Sequence, residues 1–102
     1  MATSTQPLTP ANLISRYAAD IAFVAEEQPA TTVSDFTYQL GVAAENFEAA
    51  GIDGGDELEA GAQYLADGNA ATDDTTRAVL LGKAAEYLAR ANGMADEYRD
   101  MV

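Results

Sequence analysis

The run Asp53-Gly54-Gly55-Asp56-Glu57-Leu58-Glu59 is the densest set of ligand-forming side chains in this sequence, and calcium binding is the first chemistry to test on it. A helix-loop-helix calcium site takes oxygen ligands at alternate positions and an acid at the twelfth. Counted from Asp53, the third position is Gly55 and the twelfth is Tyr64, so the pattern fails. What is left is a loose divalent site among Asp53, Asp56 and Glu57, or an acidic first helical turn, where the dipole favours carboxylates. The helix start is the simpler reading. Glu45 and Glu48, one turn apart, could pair as acid and base, yet nothing beside them lifts them above a solvated helix face.

Histidine and cysteine are both missing. Their absence removes the commonest general base, the commonest metal ligand and every thiolate chemistry. A Ser-His-Asp triad, a Glu-x-x-His di-iron site and a His-Glu-x-x-His zinc site are all ruled out. No phosphate-cradling or dinucleotide glycine motif occurs, and the Gly51–Gly55 run lacks the preceding strand that either needs. The sequence therefore reads as non-enzymatic, with no catalytic residue, metal or cofactor assigned. Tyrosines 17, 64, 87 and 98 read mainly as core fillers with the hydroxyl near the rim.

Charge narrows the partners. The net charge is −12, with Arg16 the only charge in residues 1–16 and thirteen acids without one base in 17–76. Residues 77–102 balance four bases (Arg77, Lys83, Arg90, Arg99) against four acids (Glu86, Asp96, Glu97, Asp100). So acidic a body repels phosphate backbones and anionic lipid, which argues against direct nucleic-acid or membrane binding. The acids also serve solubility in any setting. With one lysine, nine threonines and 22 alanines, the composition resembles that of halophilic proteins or of products of GC-rich genomes. The polar start, Met1 to Gln6, does not resemble a secretory signal. No stretch reaches the ~18 apolar residues that a membrane span needs, so a cytoplasmic location is the default expectation.

The elements that position these residues follow from apolar spacing. At 102 residues with 48% hydrophobic composition, the chain suits one domain, expected over 9–102 behind a flexible segment 1–8. Thr9-Pro10 opens a helix whose stripe is Leu13, Tyr17, Ile21 and Val24, and Gln28-Pro29 should close it, giving 10–28. A second helix over 32–50 carries Val33, Phe36, Leu40, Ala43, Phe47 and Ala50 in three-four alternation. Gly51 stops it and folds Ile52 back onto Phe47. A third helix over 54–67, capped by Asp53, has the thin stripe Leu58, Ala62 and Leu65, with Gly54, Gly55 and Gly61 making it soft and Gly68 ending it.

The fourth helix is long, 72–102, capped by Thr72 and continuous across Asn92-Gly93 because its apolar phase persists. Its seam is Leu81, Ala84, Leu88, Ala91, Ala95, Tyr98 and Val102. A parallel heptad row of Leu80, Tyr87, Met94 and Met101 makes the face wide enough for two neighbouring helices. Gly82, Ala85, Ala89 and Gly93 form a small-residue ridge on another side, most simply a bare solvent face. Leu40–Ala50 and Leu81–Ala91 align without gaps at an offset of 41, with six of eleven residues identical. That echo suggests two tandem helical hairpins packed into a four-helix bundle, although abundant alanine produces such matches too.

The expected fold is thus an all-α four-helix bundle. The expected function is a non-catalytic, acidic protein–protein interaction module, self-associating or docking a protein through the fourth helix at Tyr87, Met94, Tyr98 and Met101. The alternative is an acidic decoy that imitates DNA before a nucleic-acid-binding protein.

Overall fold

The structure, a computed structural model, describes residues 8–101, so the terminal seam residue Val102 lies outside it. Four helices follow in order: α1 Pro10–Ala25, α2 Val33–Ala50, α3 Gly55–Ala70 and α4 Asp74–Met101. Each packs chiefly on its sequence neighbour, and α4 closes the ring on α1. This is an all-α four-helix bundle. Its buried stripes are those of the sequence: Leu13, Tyr17, Ile21 and Val24 on α1, then Phe36, Leu40, Ala43 and Phe47 on α2. On α4 the buried set is Leu81, Ala84, Leu88, Ala91, Ala95 and Tyr98. Leu8, just before α1, packs against this core too.

Caps set the boundaries. Thr9 accepts a hydrogen bond from the Asn12 amide and Thr32 one from the Asp35 amide, each at 3.1 Å. Gly51, at φ 74°, ends α2, and the Ile52 amide bonds back to the Phe47 carbonyl at 2.9 Å. This is the Schellman turn expected there.

Four boundaries differ from the sequence expectation. α1 ends at Ala25, short of residue 28, because Glu26 takes left-handed backbone (φ 60°) and the Glu27 amide bonds to the Ala22 carbonyl at 3.0 Å. That is the same turn built without glycine. α4 is capped by Asp73 in place of Thr72: the Thr76 amide donates to Asp73 Oδ2 at 2.8 Å. The bonds from Thr76 hold the Asp73 carboxyl below its ordinary pKa. At α3 the N-cap is Gly54, with no side-chain cap from Asp53, and the helix runs through Gly68 to Ala70.

The reason at α3 is packing against α4. A Cβ on Gly54 would lie 2.9 Å from Met94 Cγ, one on Gly61 3.0 Å from Leu88 Cδ2, and one on Gly68 2.8 Å from Leu81 Cδ2. These glycines, seven residues apart, are the holes that receive the α4 rows in antiparallel register. Gly54 also has φ 127°, which only glycine adopts without strain. Gly61 and Gly68 are therefore contact residues of a helix, neither soft spots nor stops.

α4 is unbroken across Asn92-Gly93. The offset of 41 carries depth as well as identity. Leu40 and Leu81 are both 0% exposed, as are Ala43 and Ala84, and the capping residues Thr32 and Asp73 stand at the same offset.

Candidate interaction surfaces

The wide face of α4 does touch two helices, and that places the four residues expected to meet a partner. Tyr98 is buried, its ring edge-on to Phe23 (6.0 Å between centroids) and tilted against Phe47 (6.1 Å). Its hydroxyl donates to Glu26 Oε2 at 3.2 Å. Desolvation, then the Glu26 carboxylate, raises its pKa above the ordinary value. Met94 is half-buried against the core beside Gly54. Tyr87 is half-buried, stacked on Tyr64 at 5.7 Å with 13° between planes, and the Arg90 guanidinium lies 5.1 Å from its centroid. Met101 is 58% exposed. The four therefore do not form one open patch: three meet neighbours in their own chain.

Sequence reasoning overlooked Phe23, Tyr38 and Val79, the other large hydrophobics left exposed among the described residues. Phe23 falls outside the α1 stripe, and the clue was its place three residues after Asp20. The Arg99 guanidinium sits 5.0 Å from the Phe23 ring and also bonds the Asp20 carboxylate. That bond to Asp20 is the main reason the Arg99 pKa is raised. Phe23, Tyr98, Arg99, Asp20 and Glu26 together fasten α1 to α4.

Among the described residues two open grooves stand out. The larger, about 480 Å³, lies where α2 gives way to α3 and is lined by Ala44, Glu48, Ile52 and Asp53–Glu57 with Glu59. Five carboxylates face it and no lysine or arginine does. Glu45, the other acid weighed with Glu48, is exposed and lies off the groove. Asp53, Asp56 and Glu57 do share the groove, yet among the described residues no three acids are arranged to hold a metal ion. The smaller groove, about 350 Å³, follows the α1–α2 connection and is lined by Glu27–Thr31, Asp35, Tyr38 and Gln39. The α4 ridge is open surface at Gly82 and Gly93, where an added Cβ would meet nothing within 4 Å. Among the described residues no helix is long and apolar enough to cross a membrane.

Compared with known protein families, curated proteins and solved structures, the chain matches none.

Proposed function

We propose that this chain is a non-catalytic interaction module that receives a basic segment of a protein partner on its acidic face. The observation carrying this reading is the α2–α3 groove, where Glu48, Asp53, Asp56, Glu57 and Glu59 stand together without a countercharge. A concave surface of one sign focuses its field and raises the association rate of oppositely charged partners by 10–10³. The rest of residues 17–76 extends that field, since it holds eight further acids and no base.

Charge also ranks the alternatives. Two copies at −12 each repel, so self-association through α4 would have to overcome that repulsion with Val79 and Met101 as its exposed large anchors. For the decoy reading, a duplex as long as the bundle's 40 Å axis carries about 24 phosphate charges at one per ~1.7 Å. The chain presents half that net charge. A short basic segment is the better fit.

The test is titration of a labelled arginine- and lysine-rich peptide at about 50 and 300 mM salt, followed by fluorescence anisotropy. The triple variant Asp53→Asn, Asp56→Asn, Glu57→Gln should weaken binding at least tenfold at the lower salt. The control Asp96→Asn, Glu97→Gln should change it little. Equal losses in both would reduce the effect to bulk charge and overturn the groove. Displacement of duplex DNA from a DNA-binding protein, unchanged by the triple variant, would favour the decoy.

A further inference from the structure

A backbone amide can attack the side chain before it where aspartate or asparagine precedes glycine, since glycine sets no Cβ in the way. The sequence has three such bonds, Asp53-Gly54, Asp67-Gly68 and Asn92-Gly93. The fold treats them differently. Asp67-Gly68 lies inside α3 and Asn92-Gly93 inside α4, so each glycine amide is committed to the carbonyl four residues back. Gly68 is also closed in by Leu81, whose Cδ2 would stand 2.8 Å from an added Cβ, and Asn92 Oδ1 is buried. Such an amide must break out of its helix before it attacks, and opening a packed helix costs free energy.

Asp53-Gly54 is free of that restraint. Asp53 stands in the bend between the closing turn of α2 and the first turn of α3, and it is exposed. The Gly54 carbonyl accepts from the Leu58 amide at 3.0 Å, but the Gly54 amide donates to nothing among the described residues. The Asp53 carboxylate is equally uncommitted: it neither caps α3 nor enters an ion pair among the described residues. Nucleophile and electrophile are thus neighbours, both unheld, on the wall of an open groove that admits water.

We propose that Asp53-Gly54 is a self-modification site, at which the folded chain converts Asp53 to isoaspartate. The Gly54 nitrogen bonds to Asp53 Cγ and a Cγ–O bond breaks. That oxygen leaves as water, taking the amide proton and one proton from solvent. The five-membered imide then takes up one water and releases one proton. Opening at Cγ restores aspartate. Opening at the main-chain carbonyl carbon of residue 53 breaks its bond to nitrogen, and the chain then runs through Cβ and Cγ. One water leaves and one enters, so the mass is unchanged and the α2–α3 junction is one main-chain atom longer. This chemistry does not depend on the function proposed for the groove.

The test ages the full chain at about pH 7 and 37 °C, folded in buffer and unfolded in guanidinium chloride. Cleavage after glutamate then places residues 53, 67 and 92 in separate peptides, 49–57, 60–86 and 87–97. Isoaspartate is read as a second chromatographic peak matched to synthetic references, of unchanged mass at 53 and 67 and of the acid's mass at 92. In the unfolded chain Asn92 should react fastest, because a neutral amide is a better electrophile than a carboxylate. Folding should change that order: isoaspartate at 53 should exceed that at 67 at least tenfold and exceed that at 92 as well. Asp53→Glu, at an exposed position, would need a six-membered ring and should lower the product at this site at least tenfold. The unfolded order retained in the folded chain, or no excess at 53 over 67, overturns the proposal.

Discussion

Tyr98 donates its hydroxyl hydrogen to a glutamate 72 residues earlier in the chain, Glu26, across 3.2 Å. Glu26 is the only non-glycine residue with positive φ among those described. The bond therefore joins the residue that terminates α1 to the last buried position of α4. A left-handed residue with a Cβ costs about 1–2 kcal/mol, so this terminator is held against its own preference. Its side chain is the compensation. Glycine would relax the backbone but reach nothing.

Substitutions at Glu26 should separate these two effects. Glu26→Ala keeps the strain and loses the bond, whereas Glu26→Gly loses both. Glu26→Gly is expected to be the more stable of the two by about 1 kcal/mol, read from urea unfolding midpoints. The reverse order would mean that the residue is not left-handed in solution.

Tyr98 should make stability sensitive to alkali. Its pKa is raised above 10.0 in the fold, so the native state holds this proton more tightly than the unfolded chain does. The contribution is complete below pH 10 and is lost as pH rises through the folded value. Tyr98→Phe should cost about 1 kcal/mol at pH 8, from the lost hydrogen bond. It should also fall less steeply than the parent between pH 9 and 11. Parallel curves for parent and variant would refute the coupling.

Glycine substitutions should divide by which side of a helix they occupy. At Gly82 and Gly93 a Cβ meets nothing within 4 Å, so alanine should stabilise each by about 1 kcal/mol through helix propensity alone. At Gly61 and Gly68 the same gain is opposed by overlap with Leu88 and Leu81, side chains 1% and 0% exposed with little room to move. Overpacking of about 1–3 kcal/mol should outweigh the gain and leave a net loss. Gly54→Ala adds backbone strain to overlap with Met94 and should be the most damaging of the five. Thermal melts rank them, and stabilisation at Gly68 would sink the proposed α3–α4 register.

The same glycines show what the sequence makes legible. Apolar spacing alone locates the stripes on α1, α2 and α4, because each records one helix facing one core. Glycine records only a missing side chain. Whether that means softness, a stop or a hole for a neighbour's leucine depends on a helix elsewhere in the chain. The heptad spacing of 54, 61 and 68, facing the α4 rows that hold Leu81, Leu88 and Met94, was the available signal. Glu26 escapes for a similar reason, since nothing local marks a glutamate as left-handed when its partner is Tyr98. The α4 surface shows the same limit: its wide apolar face is met in part within the chain, Met94 beside the cap residue Gly54 and Tyr87 against Tyr64 of α3. The buried Gln39 amide has no sequence signature at all.

Salt should strengthen this fold. The described ion pairs all draw on bases from residues 77–99: Arg77 with Asp74, Arg90 with Glu86, and Arg99 with Asp20 and Asp96. Only Asp20 and Asp74, of the thirteen acids between 17 and 76, take part in them. The others repel one another across a body 40 × 32 × 22 Å. Raising ionic strength from about 0.01 to 0.15 M shortens the screening length from ~30 to ~8 Å, from the width of the bundle to a fraction of it. The repulsion is thereby largely removed, while the exposed pairs sacrificed are each worth at most about 1 kcal/mol. The urea midpoint should rise with sodium chloride over this range. Asp53→Asn with Glu57→Gln should raise it at low salt and have little effect at 0.5 M. A midpoint that falls as salt is added would mean that the few ion pairs outweigh the mutual repulsion of the acids.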